Sequence, residues 1–177
     1  MSNEGLKLVI TRKGLEAAIS AQDKGIQAAL KWVSVGDAAY LPNVEQLALK
    51  NELDRVEFGQ YKDTSGSSIQ AAAKFSGPEA YAIREIGFWL DDGTLFGVIS
   101  EPDRTLNYKA AGGHCIQPFT LNLSALPSDS IRVIVGTENL NILIDTEFAI
   151  LAKSQVDTMH IAIKHEFRLL ELEKAGG

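Results

Sequence analysis

The sequence predicts an α+β protein: an antiparallel β-rich domain with one N-terminal helix packed on it, followed by a C-terminal coiled-coil-like helix. Three observations predict this. Ile69, Ala71, Ala73 and Phe75 alternate with smaller or polar residues, the period of a half-buried strand. Asp91-Asp92-Gly93-Thr94 separates two apolar runs as a hairpin turn, because glycine accepts positive φ at little cost. From Glu147 to Lys174 there is neither proline nor glycine, which leaves about 28 residues free to run as a helix roughly 42 Å long. The expected division is a domain over 1–145 and an oligomerisation helix over 146–177.

Taken in order, Leu6 to Ile10 reads as a short strand, and Thr11 is placed to cap a helix reaching about Gln22. Its buried side is expected to carry Leu15, Ala18, Ile19 and Ala21. Ala28 to Val35 is a second strand, stopped by the turn signal Gly36-Asp37. Val44 to Lys50 reads equally as a helical turn or a strand. Asp54 to Tyr61 is a further strand, and the polar run Lys62 to Ser68 is expected to be an exposed loop. Ala82 to Leu90 reads as one strand, with Ile86, Phe88 and Leu90 on one face and Tyr81, Ile83 and Trp89 on the other. Leu95 to Ser100 returns as its partner. Cys115 to Leu123 and Ile131 to Val135 are strands, and Leu140, Ile142 and Ile144 alternate again.

In the terminal helix, Ala149, Ala152, Val156, Met159 and Ile163 follow a 3-4-3-4 spacing, which Phe167 and Leu170 resume after a four-residue step. Val156, Met159, Ile163, Phe167 and Leu170 are therefore the expected oligomerisation stripe, because a monomer would leave them in water.

The totals exclude whole classes. Of 177 residues, 45% are hydrophobic and 23% charged, a globular balance that argues against disorder. A formal net charge of −6 lacks the basic field that a nucleic-acid binder needs. Cys115 is the only cysteine, so neither an intrachain disulfide nor a multi-cysteine zinc site can form. The opening Met1-Ser2-Asn3-Glu4 does not read as a secretory signal. No apolar run approaches the roughly 20 residues of a membrane span, so membrane insertion is not expected.

No residue pattern assembles an enzyme, and no catalytic, cofactor or metal site is expected. Gly112-Gly113-His114 lacks the following Gly-Lys-Ser/Thr of a phosphate loop and reads as a plain loop. No Gly-x-Ser-x-Gly elbow presents a serine, and Ser65-Gly66-Ser67-Ser68 reads as solvated chain. His160 and His165 point roughly 140° apart on a helix, which is not metal-ligand spacing. Asp91-Asp92 lacks further oxygen ligands for calcium and is explained by its turn. Arg84 and Glu85 point to opposite faces of a strand, and the plain reading makes both of them sheet-surface charges, although one buried and paired is the alternative. Trp32 and Trp89 could stack on a sugar, yet core packing explains them more simply. Gly87, within a bulky strand, suggests a bulge or a close backbone approach.

Three segments together resemble the N-terminal domain of phage tail-collar fibre proteins, found in contractile-tailed phages and related bacteriocins. They are the strand and small-residue helix Leu8 to Ile19, the run Trp32-Val33-Ser34-Val35-Gly36-Asp37, and the Arg84-Glu85-Ile86-Gly87 strand with its hairpin to Val98. They stand in the family's order, and the likeness covers about residues 4–145. The resemblance implies a virion protein of the tail baseplate and fibre region, made in the host cytoplasm. Its implied partners are baseplate proteins, other tail-fibre subunits and further copies of itself, as a homotrimer. With one helix before Gly177 in place of a long shaft, the expectation is a connector that holds fibre subunits on the particle. A short fibre that itself grips a host-surface glycan is the alternative.

Overall fold

The computed structural model describes residues 7–65, 68–127 and 130–137. They lie within one compact unit, 1–138. The expected helix over 146–177 and its stripe Val156, Met159, Ile163, Phe167 and Leu170 lie outside the described residues. So do the expected strand at Leu140 to Ile144 and the histidines His160 and His165.

The described chain is β-rich, with one α-helix. Its elements are β1 (Val9–Ile10), α1 (Arg12–Asp23), β2 (Ala28–Gly36), β3 (Glu52–Glu57), β4 (Gln60–Ser65), β5 (Ser68–Ser76), β6 (Tyr81–Ile83), β7 (Glu85–Leu90), β8 (Leu95–Ser100), β9 (Asn107–Lys109), β10 (His114–Asn122) and β11 (Ile131–Val133). The main sheet runs β1-β8-β7-β2-β11. On the β11 side of β2, its first residues pair with β11 in parallel and its later ones with β3 in antiparallel. A second sheet, β10-β5-β4, is antiparallel throughout, and β6 pairs with β9.

Helix α1 begins where the sequence places it. The Thr11 hydroxyl accepts from the Gly14 amide at 2.9 Å and donates to the Leu95 carbonyl, so the cap also fixes the helix to β8. Gly14 and Ala18 are buried, with Ala17 and Ala21 packed against the core. A side chain at Gly14 would collide with the Phe96 backbone. The helix therefore approaches the sheet on its small residues. Ile19, expected on that face, is 41% exposed because it lies beyond the Gly14–Ala18 line.

The core forms between the two larger sheets. Phe88 on β7, Phe119 on β10 and Phe58 in the link between β3 and β4 meet with ring centroids 4.9–6.5 Å apart. Ile69, Ala71, Ala73 and Phe75 of β5 point into the same core, as their alternation predicts. β5 and β10 pair over nine consecutive residues without a register shift.

Strands β1 and β11 are shorter than expected, and three further differences have a physical cause. The strand expected over Asp54 to Tyr61 is two strands, broken at Phe58-Gly59, where Phe58 turns into the core. The polar run after it is mostly not loop: Gln60–Ser65 forms the edge strand β4, paired with β5. A strand with one open edge needs no apolar alternation to be held by its ladder, so its polar sequence misleads. The strand expected over Ala82 to Leu90 breaks at Arg84, whose amide donates to the Gly36 carbonyl at 2.8 Å. The break lets Ile83 join Ile86 and Phe88 in the main core, rather than the opposite face.

Candidate functional site

The other face of the main sheet is covered by residues 37–51, a strap with no regular secondary structure. Tyr40 and Leu49 of the strap pack on Trp89, Leu95 and Val98, with Trp32 and Ala38 at the margin. The strap is tied down by Glu85. This carboxylate is fully buried and accepts from the Tyr40 hydroxyl at 2.7 Å, the Lys50 amide at 2.9 Å and the Asn51 amide at 2.8 Å. Among the described residues it has these three donors and no cation in a salt bridge with it. The plain expectation that Arg84 and Glu85 are both surface charges is therefore corrected. Arg84 is exposed, and Glu85 is a buried acceptor that replaces missing backbone pairing with side-chain bonds.

Two glycines make room for it. A side chain at Gly36 would strike the Asn51 carbonyl and the Glu85 carboxylate. One at Gly87 would meet the Ser34 hydroxyl at 2.8 Å and the Leu49 side chain at 3.1 Å. Of the two explanations offered by the sequence for Gly87, close approach is the observed one. The register shift falls one step later, between Phe88 and Trp89.

Further bonds hold the strap along its length. The Tyr40 amide donates to the Ser100 hydroxyl at 3.2 Å, and the Gln46 amide group donates to the Tyr40 oxygen. The Arg12 backbone amide donates to the Val44 carbonyl at 2.7 Å. The Asn51 side chain donates to Asp37 at 2.6 Å. Burial, reinforced by the Glu85 carboxylate and opposed by Gln46, pushes the Tyr40 hydroxyl well above its ordinary value of 10.0.

Both tryptophans belong to this face. The Trp89 indole donates to the Ser34 hydroxyl at 2.6 Å, and the Arg55 guanidinium lies 3.8 Å over its ring. Trp89 is buried and Trp32 half-buried. Trp32 has the Lys31 ammonium 4.8 Å from its ring.

The remaining sequence candidates resolve locally. Gly112 has φ +65, and the amides of Gly112 and Gly113 already donate to the carbonyls of Pro78 and Ala110, so they form a turn and not a phosphate cradle. His114 lies 2.8 Å from the Ser76 hydroxyl. Asp92 accepts from the Thr94 amide at 2.8 Å, which uses it in the hairpin.

A second buried charge gave no sequence signal. Lys109 is 1% exposed and donates to the carbonyls of Gly77 and Glu79, both at 2.7 Å, fastening the loop after β5 to β9. Burial raises the nearby Cys115 thiol, and Lys109 works against that rise. Burial and Asp54, which accepts from Tyr81 at 3.1 Å, together push the Tyr81 hydroxyl up. Among the described residues, no group of three His, Cys, Asp or Glu side chains is placed to hold a metal ion.

The three segments that carry the family likeness are neighbours in space. β1 pairs β8, β8 pairs β7, β7 pairs β2, and α1 rests on β8. No family model, curated protein or solved structure matches this chain.

Proposed function

We propose that this chain is a structural virion protein that attaches tail fibres to the baseplate of a contractile phage tail or tail-like particle. One observation carries the reading. The segments 8–19, 32–37 and 84–98, far apart in sequence, build one continuous unit: strands β1-β8-β7-β2 with α1 on β8. Their distinctive residues have linked structural tasks. Gly14 seats the helix, Gly36 opens space, and Glu85 ties the strap. A likeness carried by such residues concerns a rigid platform rather than a reactive centre.

In this reading the chain is an oligomeric adaptor without catalytic activity. Val156, Met159, Ile163, Phe167 and Leu170 bundle three copies, and the domain meets the baseplate. Adding the full-length chain to purified baseplates stripped of fibres should give saturable binding. Retention on a glycan array with no baseplate binding would replace the adaptor with the short-fibre reading.

A further inference from the structure

A cleft of about 720 Å³ opens at the start of β2, between the end of α1, the β7–β8 hairpin and β11. Its size is that of a small-molecule site. Short side chains keep it open. Ala28, Ala29 and Leu90, all buried, line it from the sheet, and Ala17 and Ala21 line it from the helix. The helix end that forms one wall is firmly closed. The Ile26 amide donates to the Ala21 carbonyl at 3.0 Å and the Gly25 amide to the Gln22 carbonyl at 2.8 Å, with Gly25 at φ +72. This paired closure satisfies the last helical carbonyls and holds the backbone of Lys24 at the rim.

Charges of both signs line the cleft. The Asp91 amide donates to the Ala29 carbonyl at 2.9 Å from the β7 side, and Arg132 is the ladder partner of Ala29 on the β11 side. Two strand spacings therefore separate Asp91 from Arg132, roughly 10 Å between their backbones. Asp92 adds a second acid at the hairpin and Lys24 a second cation at the helix end, and all four side chains are exposed. Among the described residues, the side chains of Lys24, Asp91 and Arg132 make no ion pair or hydrogen bond, either with one another or elsewhere. A ligand with an ammonium at one end and a carboxylate at the other meets both signs at once. A ligand of one charge meets its own sign across β2. Three extended residues of a peptide span roughly 10 Å, which matches the separation.

We propose that this cleft binds a short unblocked peptide, with its ammonium at Asp91 and Asp92, its carboxylate at Arg132 and Lys24, and small apolar side chains on the alanine floor. The test titrates trialanine into the full-length chain and follows amide chemical shifts. Saturable shifts are expected at Ala28, Ala29 and Leu90. Trialanine blocked at both ends should bind at least about fivefold more weakly, because it loses both charges. Asp91→Asn and Arg132→Gln should each weaken trialanine about two- to fivefold. Both should keep the parent melting temperature, since neither side chain has a bond to lose. Asp91→Asn should leave the affinity for N-acetyl-trialanine unchanged, because that peptide has no ammonium; a general loss of structure would weaken both peptides. Equal affinity for blocked and unblocked trialanine, parent-like binding by both folded variants, or no saturable shifts would overturn the proposal. So would N-acetyl-trialanine binding as well as trialanine, which would make the cleft a simple anion site. None of these outcomes bears on the attachment role.

Discussion

The two faces of the main sheet are covered by different physics. One face meets β5 and β10 through apolar side chains, with Phe58, Phe88 and Phe119 in mutual contact. The other is covered by a strap whose position depends on bonds from Tyr40, Lys50 and Asn51 to Glu85 and from Tyr40 to Ser100. Apolar burial is non-directional and tolerates small shifts, whereas a buried carboxylate with three donors specifies one arrangement. The first face gives the domain its stability. The second fixes the shape of an irregular surface.

One pair of substitutions tells the two faces apart. Phe88→Ala should cost about 3–5 kcal/mol, since it removes a fully buried ring from the centre of the core. Glu85→Ala should cost less, about 2–4 kcal/mol, by leaving the Lys50 and Asn51 amides and the Tyr40 hydroxyl without their acceptor. The two should also differ in kind. Phe88→Ala should lower protection from hydrogen exchange throughout the core strands, whereas Glu85→Ala should lower it chiefly at Lys50 and Asn51. Equal loss across the whole domain in both variants would show that the strap is part of the main cooperative unit.

A smaller effect sharpens the same contrast in alkali. Tyr40 and Tyr81 both have raised values in the folded protein. The stability they contribute is fully present below the unfolded tyrosine value near 10 and is lost as pH rises through the higher folded values. Absorbance at 295 nm should therefore show part of the tyrosine signal delayed beyond pH 11, appearing as the fold is lost. Tyr40→Phe should reduce the delayed part. A single early step with the fold intact, accounting for all four tyrosines, would contradict it.

The first face was legible in the sequence, and the strap over the second was not. Ile69, Ala71, Ala73 and Phe75 declare their strand by period, Thr11 declares the helix start, and Gly93 the hairpin. The strap has no period, because its residues are placed by tertiary hydrogen bonds rather than by a repeating ladder. Glu85 reads as a surface charge in any single strand, and only its surroundings on the far side of the sheet make it an acceptor. Its one local hint is position: an acid beside Ile86-Gly87-Phe88-Trp89-Leu90, a run too apolar to be a solvated face. Lys109 has no such hint, since its two short bonds, at 2.7 Å, go to carbonyls of Gly77 and Glu79 about thirty residues away.

The attachment role itself is tested most directly by truncation after Asp145. Residues 1–145 should still bind purified baseplates, though more weakly, because the three linked anchors of the proposed trimer become one. The isolated segment 146–177 should not bind. Binding by that segment alone, with none by the truncated domain, would reverse the proposed polarity and contradict the attachment role.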